Sequence, residues 1–88
     1  MHILLVEDNQ EVARAVERGL CLANFTVNRV ATVEQAKQAL HHFSSDLVVL
    51  DLGLPDGDGL QLLAQWRSQG LTLPILVLTA RDSLEDKV

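Results

Sequence analysis

Three carboxylates close two of the most apolar runs in the chain: Ile3-Leu4-Leu5-Val6 ends in Glu7-Asp8, and Leu47-Val48-Val49-Leu50 ends in Asp51. A further run, Ile75 to Leu78, ends in a hydroxyl, Thr79, followed by Ala80. If these runs are neighbouring strands of one parallel sheet, the carboxylates meet beyond its carboxyl edge, where open sheets of this kind bind ligands. Like charges raise one another's pKa, and a divalent cation relieves them. All-oxygen donors suit magnesium or manganese. A half-open site with one or two carboxylates and room for a phosphate suits magnesium better than a closed cage. A cation beside a free carboxylate, with a hydroxyl in reach, is the equipment for moving a phosphoryl group onto that carboxylate. Asp51 is the candidate nucleophile. Gly53 lets the backbone come close to the ion, and Ala80 leaves room beside the phosphate and offers it a backbone N–H.

Each residue also has a plainer reading. Asp8 taken alone is a helix cap, and Thr79 a strand-end hydroxyl; their convergence with Asp51 favours the chemical role. Asp56 and Asp58 read as turn residues that bond their own backbone. His2, His41 and His42 lack catalytic partners and metal-ligand spacing, so they read as surface residues. Cys21, with no His or second Cys nearby, reads as structural or incidental, and Trp66 packs a helix.

The elements that must hold these groups are legible in the apolar spacing. Ile3 to Val6 is too short for a helix and reads as a buried strand, as do Leu47 to Leu50 and, after Pro74, Ile75 to Leu78. Asn9 is placed to cap a helix with Val12, Ala13, Val16 and Leu20 along one face. Asn24 and Phe25 then turn the chain into a short strand, through Arg29, that alternates like an edge. Thr32 and Gln35 form a capping box ahead of a helical face of Val33, Ala36, Ala39, Leu40 and Phe43. Gly53 to Gly59 reads as a loop leading into a third helix. That helix carries Leu60, Leu63 and Ala64 on one face, with Leu62 and Trp66 alongside and Gly70 at its end. Asp82 or Ser83 is placed to cap a further helix over Arg81 to Val88. Strands alternating with helices predict an α/β fold, a doubly wound parallel sheet covered on both faces.

Composition narrows the classes. With 88 residues, 48% hydrophobic and 22% charged, the chain has the balance of a single packed domain over 1–88. A net charge of -5 and seven scattered Lys and Arg argue against direct nucleic-acid binding. One cysteine allows no internal disulfide, and no basic segment precedes a long apolar run. A cytoplasmic setting away from membranes is therefore expected.

Three segments, Ile3-Leu4-Leu5-Val6-Glu7-Asp8-Asn9, Asp51-Leu52-Gly53-Leu54-Pro55-Asp56-Gly57-Asp58-Gly59 and Val77-Leu78-Thr79-Ala80-Arg81, share order and spacing with a known family. They resemble the receiver domains of bacterial two-component response regulators, especially the winged-helix (OmpR/PhoB-type) transcription-factor subgroup. The resemblance covers the whole length. It implies a flavodoxin-like (CheY-like) fold with strand order 2-1-3-4, and phosphorylation of Asp51 by a partner sensor histidine kinase in a magnesium-dependent step. It further implies that Asp8, Asp51 and the Gly53 carbonyl bind Mg2+, that Glu7 acts through water, and that Thr79 is the switch hydroxyl. Against the family pattern the 88 residues omit a fifth strand with its lysine and an aromatic switch residue, a last helix and any effector. The expectation is an incomplete receiver with Ile75 to Leu78 as an open edge, prone to homodimer or edge-strand pairing.

Two other readings stand beside this one. A non-catalytic dimerisation or decoy fragment would assemble without regard to magnesium or Asp51. A magnesium-dependent phosphohydrolase with an aspartyl phosphate would need a general acid for turnover, and Gly53 stands two residues after Asp51, where such a carboxylate would sit. An acceptor domain rather than a turnover enzyme is therefore expected.

Overall fold

A computed structural model describes residues 1–78; Thr79, Ala80 and the helix expected over 81–88 lie outside the described residues. The chain alternates β1 (His2–Val6), α1 (Gln10–Leu22), β2 (Thr26–Val30), α2 (Val33–His42) and β3 (Leu47–Asp51). A short hairpin follows, β4 (Gly53–Leu54) with β5 (Gly57–Asp58), then α3 (Gly59–Ser68) and β6 (Ile75–Leu78). The main sheet is parallel, in the order β2-β1-β3-β6. With β6 as the fourth long strand, this is the expected order and the expected doubly wound fold.

The period of two along β1 sends Leu4 and Val6 to one face and Ile3 and Leu5 to the other. Leu4 and Val6 pack with Val48, Leu50, Ala36, Ala39, Leu62 and Trp66, beneath α2 and α3. Ile3 and Leu5 pack with Val49 and Ala13, beneath α1. Both central strands are thus buried on two sides, which explains why their sequences run apolar without alternation. β2, at the sheet edge, alternates as expected.

The helix starts are tied down by side chains. Asn9 Oδ1 accepts the N–H groups of Glu11 and Val12 at 3.0 and 3.1 Å. At α2, Thr32 Oγ1 accepts the Gln35 N–H at 3.1 Å, and the Gln35 side chain reaches back to the Ala31 N–H at 2.8 Å. The capping box is therefore present, its return bond one residue earlier than the standard form. Asp58 Oδ1 caps α3 by accepting the Leu60 N–H at 3.0 Å.

Several expectations are corrected. Gly53 to Gly59 is a two-stranded hairpin running into a helix rather than an open loop. The buried face of α3 is Gly59, Leu62 and Trp66, with Leu60 54% exposed, so the inward side differs from the expected Leu60-Leu63-Ala64. Phe43 is the α2 C-cap in extended backbone and points out, 56% exposed, because the helix stops one residue before it. β6, apolar like a buried strand but expected to be left as an open edge, is the outer strand of the described sheet, with Leu76 and Val77 exposed.

Candidate functional site

The pairing of β1 with β3 builds the site. Ile3 pairs with Leu47 and Val6 with Leu50, so one more step in the same register sets Glu7 against Asp51. By parity both side chains lie on the α1 side, the side of Ile3, Leu5 and Val49. Asp8 follows at the turn into α1. Carboxylate oxygens of Glu7, Asp8 and Asp51 all lie within 4.8 Å of one another. The convergence expected of the three acids is thus present in the geometry.

Their environments differ. Glu7 and Asp51 are buried, 1% and 5% exposed, whereas Asp8 faces solvent. Burial pushes the Glu7 carboxyl above its ordinary pKa; the Asn9 N–H pulls it down, the charges of Asp51 and Asp8 push it up, and Arg29 offsets part of the rise. Burial likewise raises Asp51, against the pull of the Gly53 N–H, and the neighbouring Asp8 charge raises it further. Glu7 Oε2 accepts the Asn9 N–H at 3.0 Å, while Glu7 Oε1 is buried without a hydrogen-bond partner among the described residues. An orphaned carboxylate oxygen beside two other acids is the signature of a place for a cation or its water. An all-oxygen donor set with one exposed member fits magnesium.

The segment after Asp51 is held tightly. Gly59 N–H donates to Leu52 O at 3.0 Å, and a Cβ on Gly59 would stand 2.6 Å from Asp51 O and 2.8 Å from Leu52 Cα. Only glycine lets the start of α3 lie against the end of β3, an approach that sequence reading missed although Gly59 closes the Gly-Asp-Gly run. Among the described residues a Cβ on Gly53 would meet nothing within 4 Å, so their packing does not demand glycine there.

Asp56 corrects a further expectation. Its carboxylate reaches across to α2, accepting the N–H of Val33 at 2.7 Å and of Glu34 at 3.2 Å. Arg29 was also missed: its Nε donates to Glu7 O at 3.0 Å and its Nη2 to Asp8 O at 3.4 Å. The only signal in the sequence was a cation ending a short edge strand. The three histidines are exposed, as expected, and so is Cys21. A groove of about 470 Å³ beside Lys37, His41, Trp66 and Gln69 lies at the C-terminal ends of α2 and α3, away from the acids.

Residues 3–88 match the family model described as the response regulator receiver domain. The chain belongs to the response regulator receiver family. Over its whole length the receiver is 48% identical to the swarming motility regulation protein RssB of Serratia marcescens and 44% identical to the transcriptional regulatory protein BasR of Escherichia coli. It spans 40% of the length of each of these two curated relatives. Among solved structures it is similar to the BeF3-activated N-terminal receiver domain of Klebsiella pneumoniae RstA. That match has a TM-score of 0.87 and 31% identity over 98% of this chain and 73% of that one. No helix among the described residues is long and apolar enough to cross a membrane.

Proposed function

We propose that the receiver, read as one domain over 1–88, accepts a phosphoryl group on Asp51 from a sensor histidine kinase, in a step that requires Mg2+. The observation that carries this reading is the cluster itself: three carboxylates within 4.8 Å, two of them buried, with Glu7 Oε1 lacking a partner among the described residues. The ion would be held by Asp8, Asp51 and the Gly53 carbonyl, with Glu7 acting through water. When bound, it supplies positive charge against the oxygens of the transferring phosphoryl group.

The remaining chemistry belongs to the chain. One Asp51 carboxylate oxygen attacks phosphorus in line; the P–N bond to the kinase histidine breaks, and the imidazole departs with the electron pair. Burial of Asp51 keeps bulk water from competing at that oxygen. The Gly53 N–H lies close enough to the Asp51 carboxylate to favour its charged form. Thr79 is assigned the switch hydroxyl and Ala80 the backbone N–H to phosphate, both from family pattern and position after β6. With Gly53 where a hydrolase would place its general acid, the reading is of an acceptor rather than a turnover enzyme.

The test is intact-mass measurement after incubation with a small acyl phosphate. Wild type with Mg2+ gains one phosphoryl group; wild type with chelator and Asp51→Asn with Mg2+ do not. Equal gain in Asp51→Asn contradicts the assignment.

A further inference from the structure

We infer that Arg29 is a positioning residue for the acidic pocket: from the edge strand it clamps the backbone of the Glu7-Asp8 turn, so that both carboxylates face Asp51. The inference rests on the receiver reading and goes beyond it, because Arg29 belongs neither to the acids nor to the acceptor strand.

The geometry follows from register. Arg29 pairs with Leu5 in the parallel ladder, and its neighbour in parity, Val27, packs on the α1 side with Leu5. Arg29 therefore projects on the same side of the sheet as Glu7, two residues beyond its own partner. There its Nε donates to Glu7 O at 3.0 Å, and its Nη2 makes a longer bond to Asp8 O at 3.4 Å. From the other direction the Glu7 N–H donates to Val30 O at 3.0 Å. Both the amide and the carbonyl of Glu7 are thus tied to two successive residues of β2. The Glu7 side chain is tied in turn to the Asn9 N–H. Among the described residues no other group bonds the Asp8 carbonyl, although Asp8 is the exposed member of the cluster.

The residue type matters. A guanidinium presents several donors in a planar fork and spans two carbonyls at once, whereas an ammonium is a single point charge. Arg29 also brings a fixed positive charge close to a site for a divalent cation, and that charge alone opposes cation binding. Loss of the clamp and loss of the charge thus push magnesium affinity in opposite directions, which makes the two roles separable. Arg29→Lys keeps the charge and loses the two-point hold. Arg29→Gln loses the charge and all but one bond.

The experiment titrates Mg2+ into wild type, Arg29→Lys and Arg29→Gln by calorimetry. The Glu7 and Asp8 amide resonances are followed in parallel, and labelling by an acyl phosphate is measured across magnesium concentrations. Positioning predicts weaker Mg2+ binding in Arg29→Lys, on the order of the ten-fold loss typical when a residue orienting a metal ligand is removed, and a smaller change in Arg29→Gln, where loss of the charge offsets it. It also predicts shifted Glu7 and Asp8 amides without metal, and a labelling rate largely recovered at saturating Mg2+. Unchanged or tighter binding in Arg29→Lys, which keeps the charge, overturns the clamp while leaving the receiver reading intact. A wild type that binds no Mg2+ overturns both.

Discussion

The Asp56 carboxylate accepts the Val33 N–H at 2.7 Å across 23 positions of sequence, fastening the hairpin that follows Asp51 to the start of α2. Together with the bond from Glu34 N–H to Asp56 and from Gln35 N–H to Thr32, it satisfies the first three amides of that helix. The loop after Asp51 is therefore anchored by a helix terminus, and the anchor is electrostatic as well as geometric.

Asp56 should give the receiver part of its acid sensitivity. The Val33 N–H, ahead of the other contacts, holds the Asp56 pKa below its ordinary value. A depressed folded-state pKa stabilises the fold above the unfolded value, about 3.9, and that contribution is lost as pH falls through the lower folded value. Asp56→Asn should lower Tm at neutral pH and flatten this part of the acid limb in a Tm-against-pH series. An unchanged acid limb would show that the bond does not persist in solution.

Glu7 and Asp51 act in the opposite sense. Burial raises both, so the folded state keeps their protons to higher pH than the unfolded chain does. Stability is then lost as pH rises from the unfolded values through the raised folded ones, and the penalty is complete above them. Asp51→Asn removes part of it, so the metal-free variant should melt above wild type near pH 7. Adding Mg2+ should raise the wild-type Tm more than the variant's, since ligation to the folded state stabilises by mass action. Identical magnesium responses in the two proteins would place the cation elsewhere.

Gly59 should tolerate no side chain. Its Cβ would stand 2.6 Å from Asp51 O, and backbone cannot rotate away as a side chain can. Gly59→Ala should cost about 1–3 kcal/mol, as overpacking does. For a domain of this size each kcal/mol lowers Tm by roughly 4–8 °C. Because the displaced atoms carry Asp51, acyl-phosphate labelling should also slow in the folded fraction. Thermal melts with intact-mass time courses measure both, and a fully stable, normally labelled Gly59→Ala would refute the contact.

The sequence made the central strands and their acids legible because both signals are local. Four apolar residues closing on a carboxylate identify a buried strand and its outlet, and Asn9 and Thr32 mark helix starts one residue from where they occur. What stayed hidden depends on distant atoms. β4 and β5 are two residues each, too short for a period to register. On α3, Leu60, Leu62, Leu63, Ala64 and Trp66 cover two faces, and the inward one is chosen by the Gly59 contact with the end of β3. Asp56 and Arg29 bond backbone groups more than twenty positions away, and composition carries no trace of such bonds. Thr79 and Ala80 rest on the family pattern and on their place at the end of the last apolar run.

The most direct test of the account asks which carboxylate carries the phosphoryl group. After labelling with an acyl phosphate and Mg2+, borohydride reduces an aspartyl phosphate to homoserine, and peptide mass mapping locates the altered residue. The account predicts homoserine at position 51, with Glu7 and Asp8 unmodified and no product in the presence of chelator. Modification at Glu7 or Asp8 in place of Asp51, or labelling indifferent to magnesium, would contradict it.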